Sequence, residues 1–336
     1  MRELTACRYL LAFRRAWRLL TERRMLSRLL VASLLFVGAC TATPLPANAD
    51  PEAAPSDPRA DPPADPPPPS PLIVARPYKL KVPSGYDEAT PAPLVIELHG
   101  YGQGDNAQTI DKWMQLAPLA SERGYLLAIP GATEDHLGLP AWNATDACCD
   151  FDGNHVDDVT YLAAVIDDVA RVHNLDKARV YVTGISGGAF MVHRLACDLA
   201  DKIAAVVSIS GATFDDETRC KPSSPVSIVE LHGDADDTVP YAGGDGALPG
   251  TKVPSAQTTV ARWAKYDGCT GALHERAHLD LETAVSGSET KVEAYDGCPQ
   301  GISVELWTAE GGPHASEFTA AFRPALFDFL DAHPRR

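Results

Sequence analysis

Positive charge is scarce in this sequence. Lys and Arg total 29 against 45 Asp and Glu, a formal net charge of -16 with a pI near 5.0. That balance argues against nucleic acid or an anionic polymer as the main partner. Metal-binding patterns are missing too. No C-x-x-C pair exists to begin a zinc site. The stretch Asp150-Phe151-Asp152-Gly153-Asn154-His155 invites a calcium reading, but its glycine is misplaced and Tyr161 stands where such a loop ends in Glu. We therefore expect no metal and no cofactor. The N-terminal apolar run, Leu29 to Val37, is too short to cross a bilayer as a mature helix and has the length of a signal-peptide core.

Basic residues do cluster ahead of that run, at Arg14, Arg15, Arg18, Arg23, Arg24 and Arg28, so residues 1–40 read as a signal segment. The part before Met25 is long for such a segment, which points to Met25 as the start. Val37-Gly38-Ala39-Cys40 looks like a bacterial lipobox, in which Cys40 is lipidated and supplies the only membrane attachment. The rival site, after Ala47-Asn48-Ala49, gives free secretion. Both export the chain to the cell envelope or beyond. Residues 41–71 are mostly Pro, Ala and Asp and cannot bury enough apolar surface to offset ordering, so they read as a disordered tether. Residues 72–336 read as one folded domain.

Within that domain strands and helices alternate. Ile73-Val74-Ala75 and Tyr78 to Val82 read as an opening hairpin. Pro93 to Leu98, Tyr125 to Pro130, Val180 to Val182, Ile203 to Ser210, Val226 to Leu231 and Ile302 to Thr308 read as further strands. Helical patterns occupy Leu116 to Arg123 (with Pro118 in the first turn), Val159 to Val172 behind an Asp157 or Asp158 cap, Ala256 to Tyr266, and Glu317 to His333 with a break or restart at Pro324. Such alternation predicts an α/β fold with a mainly parallel sheet.

The chemistry centres on Gly184-Ile185-Ser186-Gly187-Gly188, between a β-prone run and a helical one. In that setting G-x-S-x-G is a turn that exposes the serine hydroxyl. A serine is a weak nucleophile alone and requires a base, an acid and an oxyanion site. The loop His232-Gly233-Asp234-Ala235-Asp236-Asp237-Thr238 offers three carboxylates, and spacing does not choose among them; turn chemistry accounts for two. His314, in Gly311-Gly312-Pro313-His314 after the last strand, is the base candidate. His173, His193, His274, His278 and His333 read as surface or helix histidines, and His99 and His232 as loop-shaping residues at strand ends. Oxyanion donors are expected from the N–H groups of Gly187 and Tyr101, the latter in the loop after His99-Gly100. The order Ser, Asp, His is that of an α/β-hydrolase.

These segments together resemble the polyhydroxybutyrate depolymerase and feruloyl esterase group of secreted α/β-hydrolases. The resemblance rests on PLVIELHGYGQ from Pro93, AWNATDACCD from Ala141, DDVTYLAAVIDD from Asp157, the stretch from Arg179 through the serine turn, and HGDADDTVPYAGG from His232. It implies an α/β-hydrolase fold, hydrolysis of carboxylic esters (polymeric ones included), Ser186 as nucleophile, His314 as base and Asp236 as acid. The chain departs from the group at Gly187, where asparagine is usual, and at Pro313-His314-Ala315-Ser316, where the group often has Gly-His followed by Trp-Pro-Gly. Of eight cysteines, Cys7 and Cys40 fall in the signal segment, and the other six suggest three disulfides in an exported domain. The resemblance implies that Cys269 pairs with Cys298; partners for Cys148 and Cys149 stay open. A serine peptidase on the same fold and a non-catalytic polymer-binding envelope lipoprotein are the alternative readings.

Overall fold

The computed structural model describes residues 67–103, 106–246, 250–315 and 317–336. The expected signal segment, Cys40 and most of the expected tether lie outside the described residues. Of the two units into which the chain divides, Met1–Pro62 and Pro63–Arg336, only the second contains described residues.

In chain order the strands are β1 (Lys79–Lys81), β2 (Ala92–Leu98), β3 (Leu126–Ile129), the short pair β4 (Thr133–Glu134) and β5 (Pro140–Ala141), β6 (Leu175–Ile185), β7 (Ala205–Ile209), β8 (Ser227–Gly233), the short pair β9 (Gly244–Asp245) and β10 (Lys252–Val253), β11 (Leu273–Leu279), β12 (Thr290–Tyr295) and β13 (Val304–Ala309). The helices are α1 (Pro71–Ala75), α2 (Asn106–Met114), α3 (Ala117–Glu122), α4 (Asp158–Val172), α5 (Gly187–Asp198), α6 (Ala256–Tyr266) and α7 (Phe322–Ala332).

The run Ala92-Pro93-Leu94-Val95-Ile96-Glu97-Leu98 is buried throughout and supplies a middle strand of the nine-stranded sheet, whose order is β1-β3-β2-β6-β7-β8-β13-β12-β11. Near-continuous apolar strands suit a parallel sheet covered on both faces. From β3 to β13 all neighbours are parallel, while β1 and the β12–β11 ribbon join antiparallel at the edges. Side chains alternate across β2: Leu94, Ile96 and Leu98 join a core with Leu162 and Val165 of α4, Phe190 and Leu195 of α5, and Trp263 of α6. Val95 faces the second core, with Ile110 of α2, Ala120 of α3, and Phe322 and Phe327 of α7. This helix–sheet–helix architecture with a mostly parallel sheet is the α/β-hydrolase fold.

Two local expectations are corrected. Ile73-Val74-Ala75 is helical, because Ser70 caps α1 through its Oγ, which accepts from Ile73 N, and Pro71 occupies the first turn. The expected hairpin is therefore absent, and β1 pairs with β3 instead. The closing helix starts only at Phe322, with Pro324 in its first turn, where a missing N–H costs nothing. Asp157 is the cap of α4, accepting from Thr160 N at 2.9 Å. Asp158 turns inward to meet Arg76 at 2.7 Å.

Candidate active site

The chain leaves β2 for its outer neighbour β3, then crosses back to β6 on β2's other side. Open α/β sheets bind ligands at such a reversal, beyond the carboxyl ends of the strands. The loop from His99 follows β2 there, and Ser186 follows β6. Their proximity depends on absent side chains. A Cβ at Gly188 would lie 2.4 Å from the Leu98 carbonyl oxygen, so only glycine lets α5 begin this close to β2. Ser186 itself has φ 55° and ψ -123°, a backbone conformation that costs a non-glycine residue on the order of 1–3 kcal/mol. It is the N-cap of α5 and only partly buried.

Ser186 N donates to Ile209 O at 2.9 Å, and the next residue, Ser210, donates through Oγ to His314 O at 3.0 Å. The end of β7 thus ties the Ser186 turn and the His314 loop to one place. His314 comes from the loop after β13, and Asp236 from the loop after β8, its parallel neighbour. The two loops are pressed together at Gly233, where a Cβ would meet Gly312 O at 2.2 Å. Asp234 adds a tie by accepting from Gly311 N at 2.6 Å.

The three aspartates now separate by contact. Asp236 is buried and its Oδ2 accepts from His314 Nδ1 at 2.7 Å, while its Oδ1 accepts from Thr238 N and Val239 N, each at 2.8 Å. Asp234 holds Gly311, and the exposed Asp237 accepts from Thr238 Oγ1. Burial raises the Asp236 pKa, but hydrogen bonds from His232 and His314 outweigh it and hold the carboxyl far below the usual range. An ionised Asp236 keeps the proton of His314 on Nδ1 and leaves Nε2 as an acceptor.

On the oxyanion side, Tyr101 N would lie 3.1 Å from a Cβ at Gly187. Gly187 opens α5, so its N–H has no intrahelical acceptor. The loop is shaped by His99, whose Nε2 accepts from Ala132 N at 3.0 Å and whose Nδ1 donates to Gly100 O at 2.8 Å. Burial pushes this imidazole down to about 4. Cys149 bonds to its neighbour Cys148, and its Sγ stands 3.2 Å from the same absent Gly187 Cβ. Cys149 also lines a groove with Glu134, Asn143 and Phe151. Cys197 pairs with Cys220 and Cys269 with Cys298, so the expected pair is present. Among the described residues no cluster of His, Cys, Asp and Glu could hold a metal.

One histidine reading is corrected: His193 is fully buried on α5 rather than solvated. His232, at the end of β8, does tie the following loop, at Val239 O, and is in addition buried between two carboxylates. Glu230, also fully buried, links them and was not singled out by sequence. The alternation of β8 aims Glu230 and His232 to one side, the only signal that could have flagged them.

Comparison with known proteins identifies a family. The Esterase PHB depolymerase family matches over residues 77–249. Feruloyl esterase B of Piromyces equi is 31% identical over 245 residues, covering 70% of this chain but 42% of its own length. The putative esterase NocK of Nocardia uniformis subsp. tsuyamanensis is 27% identical over 248 residues, covering 71% of this chain and 70% of its own. The chain thus spans less than half of the Piromyces relative. An acetyl xylan esterase from Aspergillus awamori superposes with a TM-score of 0.51 at 16% identity, over 76% of this chain and 93% of that one, a likeness of fold. With its serine turn, its HGDADDTVPY loop and the matched span between them, the chain belongs to the Esterase PHB depolymerase family.

Proposed function

We propose that this protein is an exported carboxylic ester hydrolase that works through a serine acyl-enzyme. The observation that carries the reading is the 2.7 Å contact from His314 Nδ1 to Asp236 Oδ2, which leaves Nε2 free to accept a proton. Ser186 Oγ attacks the ester carbonyl carbon as its proton passes to His314 Nε2. The oxyanion is met by the N–H groups of Tyr101 and Gly187. Collapse of the tetrahedral intermediate expels the alcohol, which takes the proton back from His314. Water then attacks the acyl-enzyme, giving its proton to the same nitrogen, and the acid product leaves with Ser186 restored.

Family membership and relatives named as feruloyl esterases support the reaction class. Three disulfides among the described residues support an oxidising, exported location. Anchoring through Cys40 enters the proposal from sequence. The substrate is an ester of the kind carried by polyhydroxyalkanoates, feruloylated or acetylated polysaccharides, or small molecules, and a panel of these with the purified protein separates them. Ser186→Ala is expected to lower kcat on a p-nitrophenyl ester by about 10^3-fold or more with unchanged circular dichroism. Retention of wild-type turnover would refute the assignment.

A further inference from the structure

Behind Asp236 lies a row of buried groups that a serine, an acid and a base do not require. Trp263 Nε1 can only donate, and it points at His193 Nδ1 at 3.0 Å. His193 Nδ1 is therefore an acceptor, and its Nε2 carries the proton toward Glu230 Oε2 at 2.9 Å. Glu230 Oε1 accepts from Gly211 N at 3.1 Å and faces His232 Nδ1 at 3.0 Å. On the other side of that imidazole, Nε2 faces Val239 O at 2.9 Å and Asp236 Oδ2 at 3.3 Å. A carbonyl oxygen cannot donate, so Nε2 bears a proton. The remaining question is whether the proton between Nδ1 and Glu230 sits on nitrogen or oxygen. Two further donors on Glu230 and a second carboxylate on the ring's far side both favour nitrogen.

We propose that His232 is a positioning residue held as an imidazolium between Glu230 and Asp236, where it keeps Asp236 ionised and aimed at His314. The proposal rests on the reading of Asp236 and His314 as acid and base. Tyr241 also meets the ring, edge-on at 5.6 Å, with its hydroxyl bonded to Thr308 Oγ1. Glu230 and Asp236 are thus the two anions in contact with the ring. Burial opposes the charge on His232, but hydrogen bonds to Asp236 and Glu230 raise it to about 10. Complete burial would raise Glu230, but hydrogen bonds from His193 and His232 hold it below its ordinary value. Without the cation, two carboxylates would share the interior uncompensated, and Asp236 would pull more strongly on a protonated His314. His232 thus offsets part of the negative charge that Asp236 presents to His314.

The test has two arms. In 15N-histidine-labelled protein carrying Ser186→Ala, long-range 1H–15N spectra are expected to keep both His232 nitrogens protonated up to about pH 9. Adding Glu230→Gln is expected to bring the His232 titration down into the observed range. In the active enzyme, His232→Gln is expected to move the acid limb of kcat/KM upward by about one pH unit or more. A neutral His232 at pH 7 overturns the proposal, as does an unmoved acid limb in a folded His232→Gln protein. The spectra are read without turnover, so failure of the ester-hydrolase reading and failure of the imidazolium reading remain distinguishable.

Discussion

Asp236→Asn tests the polarity of the proposed dyad, because every hydrogen bond around that carboxylate comes from a donor. Oδ1 accepts from the backbone N–H groups of Thr238 and Val239, and Oδ2 receives His314 Nδ1 at 2.7 Å. If the Asn carbonyl keeps the two backbone donors, its NH2 group faces His314 Nδ1. That nitrogen must then lose its proton, which moves to Nε2, and the imidazole can no longer accept from Ser186. If the amide flips, NH2 opposes two backbone N–H groups, one of them on buried Val239, and leaves both unpaired at about 1–3 kcal/mol each. The flipped amide would keep the working tautomer, but that cost disfavours it, so the first arrangement dominates and the working tautomer is lost. The expected loss in kcat is about 10^4-fold, or about 5.5 kcal/mol of activation free energy. Steady-state hydrolysis of p-nitrophenyl acetate between pH 6 and 9, with thermal unfolding run in parallel, measures it. The exposed Asp237→Asn should stay within about twofold of wild type, as a surface change away from these contacts. A folded Asp236→Asn enzyme within tenfold of wild type would refute the tautomer argument.

Two further predictions concern stability. Glu97 is fully buried on β2, and its carboxyl is pushed up to about 8 by burial and the nearby Asp111 charge, so the folded protein retains a proton that the unfolded chain releases near pH 4.5. The stability this group contributes is therefore full below about pH 4.5 and declines as pH rises toward 8, by at most about 5 kcal/mol. Glu97→Gln should flatten that decline in urea unfolding at pH 5, 6.5 and 8, with a residual slope from Asp267, which burial also pushes up to about 8; parallel curves for variant and wild type would count against it. Removing the Cys197–Cys220 bond as a double Ser variant should cost about 3 kcal/mol, given a sequence separation of 23, and lower Tm by roughly 5–10 °C in calorimetry. A Tm within about 1 °C of wild type would contradict the loop-closure estimate.

The parts legible in sequence were those whose signals are local. The serine turn, the cap of α4 and the parallel strands are each specified within a few residues, as are α6 and the Pro118 position in α3. Ile73-Val74-Ala75 failed because a short apolar run suits either state, and the Ser70 cap with Pro71 decided it. The β11–β12 ribbon was missed because it is an exposed edge: Leu273-His274-Glu275-Arg276-Ala277-His278-Leu279 carries the charge that protects an edge strand rather than the apolar face that reveals one. His232 looked like any histidine before a glycine. Its partners are Glu230 on its own strand and Asp236 in the next loop, but they matter only because the interior excludes water around all three. Contacts such as Trp263 to His193, far apart in the chain, have no sequence signal.

The level ends of β8 and β13, where His232 pairs with Thr308 and Gly233 with Ala309, make the proposed acid and base a fixture of two neighbouring strands. Between those strands the chain makes a long excursion through α6 and the β11–β12 ribbon, with the Cys269–Cys298 bond joining the ribbon's two outer ends. The excursion nevertheless returns against the proposed dyad: Glu310 N donates to Glu289 O, Thr283 N to Glu317 O and Thr319 N to Leu281 O, so the segment between β11 and β12 braces the loop that carries His314. A change in that segment, by natural variation or by design, would therefore reach the proposed base through its own loop, while the register of β8 and β13 stays as it is.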